Sequence, residues 1–320
     1  MRVILLVVIL LALAPACGGG EASPPPREAT VIAIVRTIAP TPVPTAAPTP
    51  EPTPSPTLAP ARLDLSASVA RQGGFLLIRL ISPPPELLGA DATFNGASYR
   101  MLAEGDHWYR LIGLPTGIAP GDYLVEVVAG GASLASASVN IGPGDFQYES
   151  IELPPSSIDL LSDQAAIDAE RATLDQIYSE FTPQRLWDGA WRLPADGFMT
   201  NAFGLMRSIN GGPYFPHSGT DIANDKGTPV HASAAGRVAL ARPMYLYGNV
   251  VVIDHGAGVF TSYNHLEGIV ATEGALVSAG ELIGYMGETG FVNGPHVHWE
   301  AIVSGVRTDP MIWTQAPVQP

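Results

Sequence analysis

The pattern of apolar and polar positions changes character three times along the chain. From residue 62 to 148, short stretches such as RLDLSASV, FLLIRLI, WYRLIGL and DYLVEVVAG mix apolar with polar positions and are separated by Gly, Pro and Asp. Period-two alternation between closely spaced turns predicts strands, and regular strand spacing favours a small all-β sandwich. A helical period then takes over in SDQAAIDAERATLDQIYSEF, where Ile167, Leu174, Tyr178 and Phe181 recur at helical spacing behind Ser162 as the expected cap. Thr182 and Pro183 should end that helix, because the residue before a proline avoids the α region. Residues 149–188 are thus expected as a packed helical connector, and residues 189–316 as a second domain of short β runs and glycine turns. The fold class is mainly β.

The N-terminus has a different texture. MRVILLVVILLALAPAC sets one positive charge before an apolar run ending in small residues, the layout of an export signal over residues 1–17. The run falls short of the roughly 20 residues a spanning helix needs, so a permanent transmembrane anchor is not expected. Cys17, followed by GGG, resembles the lipidated cysteine of bacterial lipoproteins, although Ala14 stands where leucine is commoner. The expectation is an exported protein held to the membrane only through that lipid, or a secreted one if the cysteine is incidental. Within residues 18–61, APTPVPTAAPTPEPTPSPTLAP blocks helix and sheet and favours polyproline II. At about 3.1 Å per residue it reaches on the order of 60 Å, a spacer for a working end that faces outward.

Charge narrows the partners. A net charge of −14 without a Lys/Arg cluster excludes a partner bound by phosphate neutralisation, so no nucleic acid is expected. A single cysteine excludes both a disulfide framework and a multi-cysteine zinc site. A transition metal would have to be held by His and carboxylate.

Six of the seven histidines fall after residue 190. PHSGTDIA sets His217 and Asp221 four apart, and Pro216 and Gly219 argue against a helix, placing His217 on a loop and Asp221 at a strand start. In GPHVHWEA, alternation sends His296, His298 and Glu300 to one strand face and Val297 and Trp299 to the other. In VFTSYNHL it puts Tyr263 and His265 on a common face, within reach of the metal if that strand pairs in the same sheet. Singly each histidine is more often structural; jointly, in one glycine-rich β region, they point to a metal site. Glu300 is either a group that orients a ligand or a solvated strand carboxylate. His107, His231 and His255 are expected to be structural.

Residues 195–312 resemble the lysostaphin-like (LytM-type) zinc endopeptidases, through H-x-G-x-D, Y-x-H-L and H-x-H together with FGLMRSINGG, GTPVHASAAGRV, YGNVVVIDHGAGVFTSYNHL, GELIGYMGETG and RTDP. The resemblance implies an antiparallel β fold with an open groove and one zinc ion per chain, held by His217, Asp221 and His298. It makes His265 and His296 the catalytic pair, either activating water or donating to the oxyanion and leaving amine. Three protein ligands leave a fourth position for a water whose pKa the metal lowers to about 7. The implied substrates are peptidoglycan stem peptides or cross-bridges. The β domain before it shows a weaker similarity, through GDYLVEVVAG, to immunoglobulin-like modules of bacterial surface proteins. A spacer or substrate-positioning role is expected there. Two rival functions are a non-catalytic activator of wall hydrolases and a wall-binding protein.

Overall fold

The computed structural model describes residues 61–66, 70–152 and 159–320. The expected export signal, Cys17 and the proline-rich run lie outside these described residues.

Two four-stranded antiparallel sheets face one another. The first runs Arg62–Leu65, Phe75–Ile81, His107–Gly113, Leu102–Glu104, and the second Ala97–Arg100, Asp91–Phe94, Gly121–Ala129, Ala132–Ile141. Leu76, Ile78, Leu80 and Ile112 of the first join Ala92, Phe94, Val125, Val127 and Val139 of the second in one buried cluster. FLLIRLI is more continuously apolar than a one-sided strand because its other face is covered too. Phe75 and Leu77, with Tyr109 and Leu111, belong to the same core as Trp299 and Trp313 of the C-terminal part, and Phe75 stacks on Trp313 at 4.8 Å.

Tyr148–Ile151, at the start of the expected connector, is a strand; it pairs in parallel with Met206–Ile209, whose other neighbour is Phe215–Pro216. The helix follows as Gln164–Ser179. Its cap is Asp163 rather than Ser162: the Ala166 N–H donates to the Asp163 carboxylate at 3.0 Å, while the Ser162 hydroxyl is spent on the Asp159 carbonyl at 2.6 Å. Both residue types suit a cap, and the 3₁₀ turn Asp159–Leu161 decides between them. The helix turns extended already at Glu180, leaving Phe181 outside it and beneath the Arg110 guanidinium at 4.5 Å. Leu174 and Tyr178 pack on Leu240, Val250, Val252, Phe260 and Ile302.

Among the described residues the C-terminal part forms a ten-stranded antiparallel sheet. Its main path runs Phe198–Asn201, Thr220–Ala223, His296–Val303, Val259–Ile269, Gly248–Gly256, Gly236–Met244, Leu276–Val277. Register builds the site. Asn201 lies opposite Asp221, Asp221 opposite His298, and His298 opposite Asn264. Directly opposed residues share a face, so a row of polar groups crosses four strands. The next row, Thr220, Trp299 and Tyr263, is fully buried against the core.

Candidate metal centre

Three ligand atoms converge on one point. His217 Nε2 lies 3.1 Å from His298 Nδ1, His298 Nδ1 lies 2.8 Å from Asp221 Oδ1, and His217 Nε2 lies 3.2 Å from the same oxygen. The outward nitrogens fix the tautomers. His217 Nδ1 donates to the Ala202 carbonyl at 3.0 Å, and His298 Nε2 faces the Glu300 carboxylate and the Ser218 hydroxyl, each at 3.2 Å. A neutral ring so held turns a lone pair inward, toward a carboxylate, in a pocket where Asp221 and His298 are buried. Three such acceptors repel unless positive charge, a metal ion or a proton on His298, sits among them. A tetrahedral ion with bonds of about 2.0–2.2 Å would separate its ligands by about 3.3–3.6 Å, so a slight opening of this triangle admits it. The donor set fits zinc.

The electrostatics agree. Burial raises the Asp221 carboxyl, but hydrogen bonds and charge from His217 and His298 outweigh it and hold the group far below the usual carboxylate range. Burial opposes protonation of His298, yet the Asp221 and Glu300 carboxylates push it up to about 9. The site is strongly attractive to positive charge.

Local structure explains the H-x-G-x-D spacing. The His217 N–H donates to the Leu205 carbonyl at 2.9 Å and the Gly204 N–H to the His217 carbonyl at 2.8 Å, fixing the loop after Phe215–Pro216. At Gly219 an added Cβ would stand 2.4 Å from the Trp299 carbonyl oxygen and 3.0 Å from the His298 ring, so only glycine lets this turn lie against the ligand strand. Asn201 Nδ2 donates to Asp221 Oδ2 at 2.8 Å, leaving Oδ1 for the centre.

His265 departs from the alternation expected of it. Paired residues put Tyr263 with Trp299 on the core side, and strict alternation would send His265 there as well. Instead its ring lies 4.9 Å from that of His296 and 5.9 Å from that of His298, because its backbone is left-handed at φ 65°. A left-handed non-glycine residue needs support from its surroundings. The His265 N–H donates to the Tyr247 carbonyl at 2.9 Å, and its Nδ1 to the Thr289 carbonyl at 2.9 Å. The Thr289 hydroxyl donates to the Leu266 carbonyl at 2.8 Å and accepts the Asn249 N–H at 2.9 Å. His296 is anchored alike, Nδ1 to the Gly294 carbonyl at 2.9 Å, which leaves Nε2 3.7 Å from Asp221 Oδ1. Burial and the neighbouring His298 and His296 push the His265 imidazole down to about 3.

Glu300 is fully buried, which removes the solvated alternative. Besides His298 it accepts from Arg307 Nε at 3.2 Å and the Tyr247 hydroxyl at 3.4 Å. Burial raises its carboxyl, but Arg307 and His298 prevail and hold it at about 2. His255 bonds the Ala235 carbonyl and the Thr261 hydroxyl, each at 2.8 Å, away from the centre. His107 sits beside Asp106, and His231 ends the strand Pro229–His231. The structure thus gathers His217, Asp221, His265, His296 and His298 in one place. It adds Asn201, Tyr247, Thr289 and Arg307, which sequence reasoning passed over because single polar residues in strands and turns carry no signal until register and turn geometry bring them together.

Comparison with known proteins gives the domain its relatives. A profile of peptidase family M23 matches residues 215–310. The peptidoglycan DD-endopeptidase ShyA of Vibrio cholerae is 49% identical over 90 residues, 28% of this chain and 21% of that protein. The murein hydrolase activator NlpD of Salmonella dublin is 34% identical over 123 residues, 38% of this chain and 30% of that protein. The match therefore spans less than a third of either relative. A crystal structure of a candidate peptidase M23 from Pseudomonas aeruginosa superposes with a TM-score of 0.58 at 28% identity, covering 77% of this chain and 95% of that one. That likeness reaches well beyond residues 215–310. The metal-ligand geometry, the antiparallel sheet and these similarities agree on one conclusion: the C-terminal part of the chain is a peptidase family M23 domain of the LytM type.

Proposed function

We propose that the chain is a zinc-dependent endopeptidase that hydrolyses peptide cross-links of bacterial peptidoglycan outside the cytoplasm. The observation that carries this reading is the inward convergence of His217 Nε2, Asp221 Oδ1 and His298 Nδ1 beside two further imidazoles that also have Nδ1 tied to backbone carbonyls. His217, Asp221 and His298 would hold the ion, which when bound supplies a Lewis acid for the scissile carbonyl and acidifies water. The remaining work falls to the chain. His265 and His296 commit Nδ1 to backbone carbonyls and leave Nε2 for the reaction, so each is able to take a proton from attacking water or return one to the leaving amine. Glu300, itself held by Arg307, receives the His298 Nε2–H and keeps Nδ1 turned inward. Peptide cross-links are favoured as substrate by the similarity to a DD-endopeptidase. Export, a lipid on Cys17 and a positioning role for the 62–148 sandwich belong to the same reading.

A second reading, activation of another hydrolase, is motivated by the similarity to NlpD. The complete set of five side chains favours catalysis. The test is zinc content and release of muropeptides from purified wall by the full chain and by its His217→Ala variant. One zinc per chain, with release lost in the variant, supports the peptidase; bound zinc without release from several wall types supports the activator.

A further inference from the structure

The helix Gln164–Ser179 lies outside the residues matched to the peptidase family, yet one of its buried side chains reaches the site's framework. Its buried residues are Glu170, Leu174 and Tyr178, spaced four apart on one face. Leu174 and Tyr178 fill an apolar cluster, as that face demands; Glu170, at 6% exposure, breaks the pattern. A buried carboxylate is costly unless donors surround it, and Glu170 has no ion pair among the described residues. Its donors are backbone. The Leu246 N–H lies 2.9 Å from Oε2 and 3.2 Å from Oε1. Burial raises its carboxyl against the pull of the Leu246, Tyr247 and Tyr245 amides.

The segment so held is a junction. The Tyr247 carbonyl accepts the N–H of left-handed His265 at 2.9 Å, and the Leu246 carbonyl accepts the Phe291 N–H at 2.7 Å, next to Thr289, whose own carbonyl fixes the His265 ring. The two turns approach closely: a Cβ on Gly290 would stand 2.3 Å from the Leu246 carbonyl oxygen. The Tyr247 hydroxyl meets Glu300 and Arg307, each at 3.4 Å. We infer that Glu170 is a positioning residue of the peptidase site: from the preceding helix it clamps the 245–247 backbone, and through the Tyr247 carbonyl it keeps His265 turned toward the metal centre. The inference rests on the proposed catalytic role of His265 for its effect on rate, but its structural part stands apart from that role. The helix is thereby a working part of the peptidase unit rather than a connector.

The test uses the full chain and its Glu170→Ala, Glu170→Gln and His265→Ala variants. With a soluble cross-linked muropeptide, Glu170→Ala should lower kcat at least tenfold with KM within threefold and one zinc still bound. Glu170→Gln, which keeps an acceptor, should lose less than threefold. In the His265→Ala background the further change should be under twofold, because the effect passes through that imidazole. Amide hydrogen exchange supplies a readout free of activity: Glu170→Ala should speed exchange at Leu246 and His265 at least tenfold and leave the 62–141 sheets unchanged. Full independence of the two substitutions in kcat, lost zinc in Glu170→Ala, or unchanged exchange at His265 overturns the inference. A wild-type chain that binds zinc and releases nothing defeats the peptidase reading instead, and the exchange result then decides the positioning claim alone.

Discussion

If the chain is the zinc peptidase proposed above, replacing Thr289 by valine should cost rate before metal. The hydroxyl forms two hydrogen bonds, to the Leu266 carbonyl and from the Asn249 N–H, at 2.8 and 2.9 Å. Each is worth about 1 kcal/mol net, so valine, nearly the same shape, removes about 2 kcal/mol from the arrangement that supports His265. The left-handed backbone there costs about 1–2 kcal/mol relative to an extended one. These magnitudes are comparable, so the substitution brings the turned and relaxed states near balance and leaves about half of the molecules with His265 turned. A relaxed His265 would follow alternation and point to the core with Tyr263. The expected result is a fall of about twofold in kcat on cross-linked muropeptides, with zinc content unchanged because Thr289 bonds none of His217, Asp221 and His298. Thr289→Ser, which restores the oxygen, should recover most of the rate. Full turnover by Thr289→Val, or a rate loss matched by lost zinc, would refute this account of how His265 is held.

Two further outcomes follow from the geometry. Gly219→Ala should release zinc at concentrations the wild type retains, by more than about tenfold in affinity, since its Cβ must displace the Trp299 carbonyl or the His298 ring; metal titration followed by far-UV circular dichroism would show the loss without unfolding. His255 is fully buried and burial lowers its imidazole to about 4. A base with a depressed folded pKa contributes stability above its unfolded value near 6.5, lost as pH falls through 4, on the order of 3 kcal/mol. His255→Gln should flatten that acid limb in denaturant melts between pH 7 and 4, and an unchanged limb would assign it to other groups.

The sequence by itself determined the mainly β class, the helix within a few residues, and the His217/Asp221 and His296/His298 pairs as candidates for one centre, with His265 added by the family resemblance. Those features are local: turn residues, strand period and the H-x-G-x-D and H-x-H spacings are written in neighbouring positions. Tertiary structure decided what depends on distant pairing. Alternation in VFTSYNHL put His265 with Tyr263, and only the carbonyls of Tyr247 and Thr289 reveal that the backbone turns over at that residue. Asn201 meets Asp221 through register across an edge strand, and Arg307 meets Glu300 across a hairpin. The apolar run at Phe75–Ile81 is explained only once both its faces are seen to be covered. Glu170 is a polar residue on an apolar helix face. Its donors lie 76 residues away, and a backbone amide leaves no trace in sequence.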